Sequence, residues 1–290
     1  MVFKKYEFNF CEKPLITKFT AKKIIEAAEK GHQIVKATLD LGFTREDVII
    51  EDGVALIRGC PINLLKLIEV LDSDAVFIIE CGELQKIAFS SNGKYYKLKC
   101  IAENTAPTLE ISGIHMHRIR NVTPWQDTLM KIRAARIVRG VKVLDICTGL
   151  GYTAIASIMK GAKRVLTIEK DENVLKIASL NPWSKMLMDK RIEIILGDAL
   201  EVISELGNEE FDRIIHDPPR FSLAGELYSG KFYRELYRVL RKGGILYHYT
   251  GQPGVKRRIN IIQGISRRLR EAGFAVKIDR KTMGIIAFKD

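Results

Sequence analysis

Between residues 142 and 288, short apolar runs of strand length alternate with segments whose apolar residues recur at helical spacing. Strands are predicted over Lys142–Ile146, Arg164–Glu169, Ile192–Leu196, Phe211–His216, Gly244–Tyr249, Ala275–Asp279 and Met283–Phe288. Helical spacing appears between them, in Ile155/Ile158/Met159, Val174/Leu175/Ala178 and Phe232/Leu236/Val239/Leu240. Strand and helix in repetition build a parallel sheet with helices on both faces, because each crossover must return over one face. The last two strands are joined by Arg280-Lys281-Thr282, which is too short for a crossover, so they must pair antiparallel. The predicted fold class is α/β: a doubly wound sheet of seven strands with a reversed terminal strand.

A chain of 290 residues exceeds this unit, and its first part reads differently. Residues 21–30 predict a helix stopped at Gly31, and strands are predicted over 34–41, 47–58, 75–80 and 86–90, with a short helix over 62–71. Asn92-Gly93 before a Tyr-rich run is a hairpin signal. Residues 1–110 therefore form a small α+β module without a catalytic motif, a candidate for substrate recognition, and 111–290 form the second domain. His115 and His117 alternate on a predicted strand and read as half-buried or solvated side chains. Thr123-Pro124 opens a helix predicted over Trp125–Arg139, which leads to the next strand.

That strand, Val143-Leu144-Asp145-Ile146, runs into Cys147-Thr148-Gly149-Leu150-Gly151-Tyr152, a tight turn at a helix start. Such a turn binds dinucleotides as well as other nucleoside cofactors, and Ala154 at the third glycine position decides nothing. Position carries more weight. Glu169 and Lys170 end the second strand, 18 residues past Gly151, where a carboxylate can accept both hydroxyls of a ribose. Asp198 and Ala199 follow the third strand, where the carboxylate can meet an exocyclic amine. All three lie outside the carboxyl ends of adjacent strands, the ligand side of an open α/β sheet.

On these residues the part from 123 to 290 resembles the class I S-adenosylmethionine-dependent methyltransferases, which also share the reversed terminal hairpin. The resemblance implies a Rossmann-like methyltransferase sheet and S-adenosylmethionine as cofactor. Gly149 and Gly151 would then hold its methionine part, with Asp145, Cys147, Thr148 and Tyr152 beside them. Glu169 would hold the ribose and Asp198 the adenine. By the same resemblance, Trp125, Asp127 and Thr128 would pack over the cofactor.

His216-Asp217-Pro218-Pro219-Arg220-Phe221 follows the fourth strand. The family's enzymes that methylate base nitrogens carry a similar element of Asn, Asp or Ser followed by Pro-Pro and an aromatic residue. An aryl amine is a poor nucleophile and must be oriented, and the Asp217 carboxylate with the Pro218 carbonyl can accept its hydrogens. Pro219 stiffens the element. Arg220 stands where the aromatic is usual, so either Phe221 or the guanidinium stacks on the target. Methylation at cytosine carbon 5 is disfavoured, because no cysteine follows Cys147 to act as nucleophile.

Charge points to the acceptor. Residues 1–120 carry 17 basic and 16 acidic side chains, whereas 121–290 carry 30 and 19, so most of the net +12 lies in the second part. Lys256, Arg257, Arg258, Arg267, Arg268 and Arg270 share a segment without an acid and suit a helix whose polar face meets phosphate. His248, between Tyr247 and Tyr249, faces either the crevice or the core. The combined reading is an RNA N-methyltransferase acting on a ribosomal or transfer RNA base amine, with cytidine N4 or guanosine N2 as targets. The alternatives are an aminopropyltransferase, which the segment Leu227–Tyr233 resembles, and a protein or small-molecule methyltransferase. No membrane segment or metal-ligand spacing is apparent, the five cysteines read as reduced, and a cytoplasmic location follows. The oligomeric state is left open.

Overall fold

The computed structural model describes residues 3–251 and 255–290, with side chains in the second segment described from residue 261 onward. The chain divides into two compact units, one of Met1–Phe8, Gln126–Leu175 and Met186–Asp290, the other of Asn9–Trp125 and Lys176–Lys185.

Among the described residues the first unit holds eight strands: β1 (Lys4–Tyr6), β2 (Lys142–Ile146), β3 (Arg164–Glu169), β4 (Ile192–Leu196), β5 (Phe211–His216), β6 (Leu240–Tyr249), β7 (Ala275–Asp279) and β8 (Gly284–Phe288). Its helices are α1 (Pro124–Ala134), α2 (Tyr152–Met159), α3 (Glu172–Ala178), α4 (Ala199–Glu205), α5 (Gly230–Val239) and α6 (Val255–Glu271), the unit boundaries falling inside α1 and α3. The sheet order is β1-β4-β3-β2-β5-β6-β8-β7. Strands β4, β3, β2, β5 and β6 are mutually parallel, and β8 is antiparallel to both β6 and β7. This is the predicted Rossmann-like methyltransferase sheet with its reversed strand. The eighth strand, β1, is an addition that sequence reasoning left in the N-terminal module; it pairs antiparallel with the outer edge of β4.

The central strands are apolar because both faces are covered, as in all such parallel sheets. Leu144, Ile146, Ile214 and Leu246 are fully buried in one core with Phe232, Leu236 and Val239 of α5. Each such side chain contributes roughly 1.5–3 kcal/mol relative to exposure. Helix α5 is N-capped by Ser229, whose hydroxyl accepts the Phe232 N–H, and Leu240, predicted for its helical face, instead opens β6. Helix α1 begins at Pro124 and ends at Ala134, short of the predicted Arg139, since Arg136 adopts a left-handed φ of 51°.

The second unit contains three antiparallel sheets and the helices Lys18–Glu29 and Leu64–Val70 around a core that includes Ile24, Val48, Ile57, Ile62 and Leu67. Its hairpins turn on residue pairs with positive φ, Asp52-Gly53, Arg58-Gly59, Cys81-Gly82, Asn92-Gly93 and Ser112-Gly113, as two-residue turns matched to strand twist require. The segment 47–58, predicted as one strand, is two strands folded at Asp52-Gly53. His115 meets Glu110 at 3.0 Å and His117 meets the Thr108 hydroxyl at 3.0 Å, so both histidines serve the fold of this unit.

Candidate active site

Parallel pairing of β2 with β3 and β5 brings the carboxyl ends of three strands side by side, with Ile146 opposite both Ile168 and His216. The turn leaving β2 has left-handed φ at Cys147 (71°), Gly149 (56°) and Gly151 (79°). Helix α2 then starts without a side-chain cap, which leaves backbone N–H groups and the positive end of the helix dipole for an anionic group. At Gly151 a Cβ would lie 2.5 Å from the buried Leu187 side chain.

Asp145 is fully buried at the root of this turn. The Thr148 and Thr167 hydroxyls lie 2.7 Å apart, and Thr167 donates to Asp145 Oδ2 at 2.8 Å, while Asp145 Oδ1 is buried without a hydrogen-bond partner. Burial pushes the Asp145 carboxyl up to about 7 against the pull of the Thr167 and Thr153 hydroxyls. Glu169 Oε2 accepts the Gly149 N–H at 2.9 Å, and its Oε1 accepts the N–H groups of Lys170 and Asp171. Burial raises Glu169 despite these three donors. Asp198 caps α4 through the Leu200 N–H, and its Oδ2 takes the Lys170 ammonium at 2.6 Å. Burial alone would raise Asp198, but Lys170 and the cap hold it below its ordinary value. Ala199, the first residue of α4, is buried behind it.

The Asp-Pro-Pro element leaves β5 beside the glycine turn, and its first N–H points to the Ile146 carbonyl at 3.4 Å. Pro218 is buried, whereas Pro219, Arg220 and Phe221 are exposed. The Tyr228 hydroxyl donates to the Pro219 carbonyl at 2.8 Å, and the Phe221 ring meets the Tyr228 ring edge-on at 5.4 Å. The loop is thus braced from within the unit while Phe221 stays about half exposed.

Lys131 is the residue that sequence reasoning missed. Its side chain is 2% exposed, and Nζ reaches Asp217 Oδ2 at 2.6 Å and Asp127 Oδ2 at 3.0 Å, with the Tyr249 ring centroid at 4.3 Å. Burial works against its charge, yet the two carboxylates outweigh burial and raise its pKa. Burial pushes the Asp217 carboxyl up, and Lys131 pulls it back. The spacing of Asp127 and Lys131, four residues apart on a helix, was a readable signal. The link to Asp217, 86 residues on, was not.

His216 and His248 face the core beneath the loop. His216 Nε2 donates to the Leu227 carbonyl at 3.0 Å, leaving Nδ1 buried without a hydrogen-bond partner. The Tyr233 hydroxyl donates to His248 Nε2 at 2.9 Å, with the His248 and His216 rings 4.4 Å apart. Burial holds His216 down to about 3 and His248 well below its usual value, so both are neutral.

Other predicted residues are distributed unevenly. Thr128 is buried on α1 with Asp127, and Tyr152 is buried at the start of α2. Trp125 belongs to the second unit, where its ring packs 5.4 Å from Trp183. On α6, Arg270 is exposed and Arg267 pairs with Glu271 at 3.6 Å. Arg268 is half-buried, and its Nε donates to the Tyr228 carbonyl at 2.9 Å. Lys256, Arg257 and Arg258 lie outside the residues whose side chains are described. Among the described residues no helix is long and apolar enough to cross a membrane, and no cluster of three or more His, Cys, Asp or Glu side chains is placed to hold a metal ion.

Sheet order, reversed strand and glycine turn give the chain the Rossmann-like methyltransferase fold. Within it, the chain belongs to the family of the uncharacterised protein MJ1233 of Methanocaldococcus jannaschii, with which it is 46% identical over 94% of its own length and 95% of that protein. Residues 123–251 match the family model described as Conserved hypothetical protein 95. The ribosomal RNA large subunit methyltransferase K/L of Alcanivorax borkumensis is 27% identical over 40% of this chain, a region that is 18% of that protein. The fold is similar to spermidine synthase from Thermotoga maritima, with a TM-score of 0.54 and 19% identity over 72% of this chain and 75% of that one.

Proposed function

We propose that this chain is an S-adenosylmethionine-dependent RNA methyltransferase whose acceptor is an exocyclic amine of a ribosomal or transfer RNA base, cytidine N4 or guanosine N2. The observation that carries the reading is the Asp217-Pro218-Pro219 loop beside the glycine turn, with a partly exposed carboxylate anchored by a buried lysine.

The strand ends fit the cofactor. The unpartnered Asp145 Oδ1 suits an ammonium, the uncapped start of α2 a carboxylate, and Glu169 the hydroxyls of a ribose. Asp198 and Lys170 would border the adenine. When bound, S-adenosylmethionine supplies a methyl group activated on its sulfonium. The protein's own part is orientation. Lys131 occupies Asp217 Oδ2, so the other carboxylate oxygen and the Pro218 carbonyl accept the two amine hydrogens and aim the nitrogen lone pair. As the nitrogen gains positive charge, the same oxygens stabilise it. Phe221, exposed and held against Tyr228, offers a ring for stacking the target base, and Arg220 lies beside it in the exposed loop. Arg267, Arg270 and the excess of basic residues beyond residue 120 suit a phosphate backbone. The second unit, Asn9–Trp125 with Lys176–Lys185, is assigned to substrate recognition.

Purified protein incubated with methyl-labelled S-adenosylmethionine should label RNA from a strain lacking the gene but not RNA already modified, with the product read by nucleoside mass spectrometry. Asp217→Ala, which removes the acceptor, should lower kcat about 100-fold or more while cofactor affinity holds. Absence of transfer to either RNA would sink the proposal. A second reading, aminopropyl transfer to a polyamine, is favoured by the similarity to spermidine synthase. Turnover of putrescine with decarboxylated cofactor would select it.

A further inference from the structure

Helix α1 carries a buried device that the Asp-Pro-Pro motif does not require. A lysine enclosed to 2% exposure keeps its charge only where carboxylates compensate it, and here two do, Asp127 on its own helix and Asp217 on the loop after β5. The Tyr249 ring covers the ammonium. Asp127 is 1% exposed and Asp217 20%, so the arrangement is dry on the helix side and open on the loop side. We propose that Lys131 is the positioning residue of this site: clamped by Asp127, it fixes the Asp217 side chain and holds it ionised, presenting a single free oxygen to the acceptor amine. The assignment rests on the amine-transfer reading above.

Charge bookkeeping supports the role. Asp217 is faced by Lys131 and Asp127 from α1, by Asp145 and Cys147 from the end of β2, by Tyr247 from β6 and by Tyr228 from the turn before α5, while Tyr249 of β6 lies against Lys131. Among the described residues Lys131 is the only cation of this group. Without it, burial and the neighbouring acids all favour the protonated carboxyl, which has lost its charge and carries a donor where an acceptor is needed. Asp127 acts in two opposed ways. It holds Lys131 in place, and its own negative charge pushes Asp217 toward protonation.

These effects have opposite signs in two variants, which separates positioning from mere packing. In Lys131→Met, kcat/KM for methyl transfer to unmodified RNA should fall about 100-fold at neutral pH, and its acidic limb should move up by about one pH unit or more. Lys131→Arg should restore most of the activity and the limb. In Asp127→Asn, which keeps shape but removes a negative charge, the limb should move down. Carbon-13 NMR of aspartate-labelled protein, with Asp217→Asn to assign the resonance, should show the Asp217 carboxyl shifting in the same two directions without substrate. Should Lys131→Met fail to fold, Asp127→Asn and the NMR titration decide. An acidic limb and an Asp217 titration that stay at the parental pH in the variants would overturn the assignment. Loss of transfer in the parent protein would instead overturn the functional reading, with the NMR shifts still testing Lys131.

Discussion

Gly151 shows how little room the turn after β2 allows. Its φ of 79° is one that any other residue adopts at a cost of roughly 1–2 kcal/mol. An added methyl would also enter the space of Leu187, which is 2% exposed and cannot simply swing aside. Gly151→Ala should therefore lose about 2–4 kcal/mol in urea denaturation and weaken cofactor binding. Adding Leu187→Ala should recover the part due to the clash but not the part due to the backbone. Unchanged stability in the single variant would contradict this account. Cys147 makes the contrast within the same turn, since it holds φ at 71° with a side chain that packs against the core and offsets the strain. Asp145, Glu169, Asp198 and Asp217 could be picked out from sequence because the strands that carry them are apolar runs ending in register. Lys131 could not, because its role depends on two elements meeting in space.

At the scale of elements, β1 is the least conspicuous and the easiest to test. Its three residues, Lys4, Lys5 and Tyr6, pair with Leu196, Ile195 and Ile194 and cover the edge of β4. Deleting residues 1–8 should lower stability by about 3–6 kcal/mol, from lost strand hydrogen bonds and the lost burial of Phe3 and Phe8, and promote self-association through the bared edge, seen by light scattering. A truncated chain with the parental urea midpoint would show that β1 carries no weight. No pattern announced this strand, since three mostly exposed residues have no period and their partner is remote. The hairpins of the second unit illustrate a graded signal. Asn92-Gly93 was legible, Asp52-Gly53 carried the same chemistry inside what looked like one long strand, and Arg58-Gly59 and Cys81-Gly82 place residues at positive φ that have little preference for it. The strands of the first unit from β2 to β8, apart from the early start of β6 at Leu240, were legible almost to the residue because burial on both faces leaves so little choice of side chain, whereas helix ends such as that of α1 were not.

For the molecule as a whole, buried titratable groups set how stability follows pH. His216 has a folded value near 3 against an ordinary 6.5, so between these limits the unfolded chain binds more protons and stability rises with pH. His248 acts in the same direction. Asp145 has a folded value near 7 against 3.8, so over that range the folded protein binds more protons and stability falls as pH rises. Glu169 and Asp217 follow Asp145 in sign. The two opposed slopes overlap between 3.8 and 6.5 and offset each other. Asp145→Asn should expose the histidine slope, with stability rising across that window by about 1 kcal/mol per pH unit relative to the parent, and His216→Gln should tilt the curve the other way. Parallel curves for all three proteins in urea denaturation would contradict this.

The pairing of β1 also has a consequence in time. Lys4–Tyr6 is synthesised before the whole of Asn9–Trp125, and its partner Ile194–Leu196 follows about 190 residues later. At about 5–20 residues per second the strand waits roughly 10 to 40 s on the ribosome with its backbone unpaired. Two of its three side chains are lysines, charges that discourage another strand edge from capturing it meanwhile. The short, basic sequence that hid β1 from prediction is thus what lets it remain available until its own sheet exists.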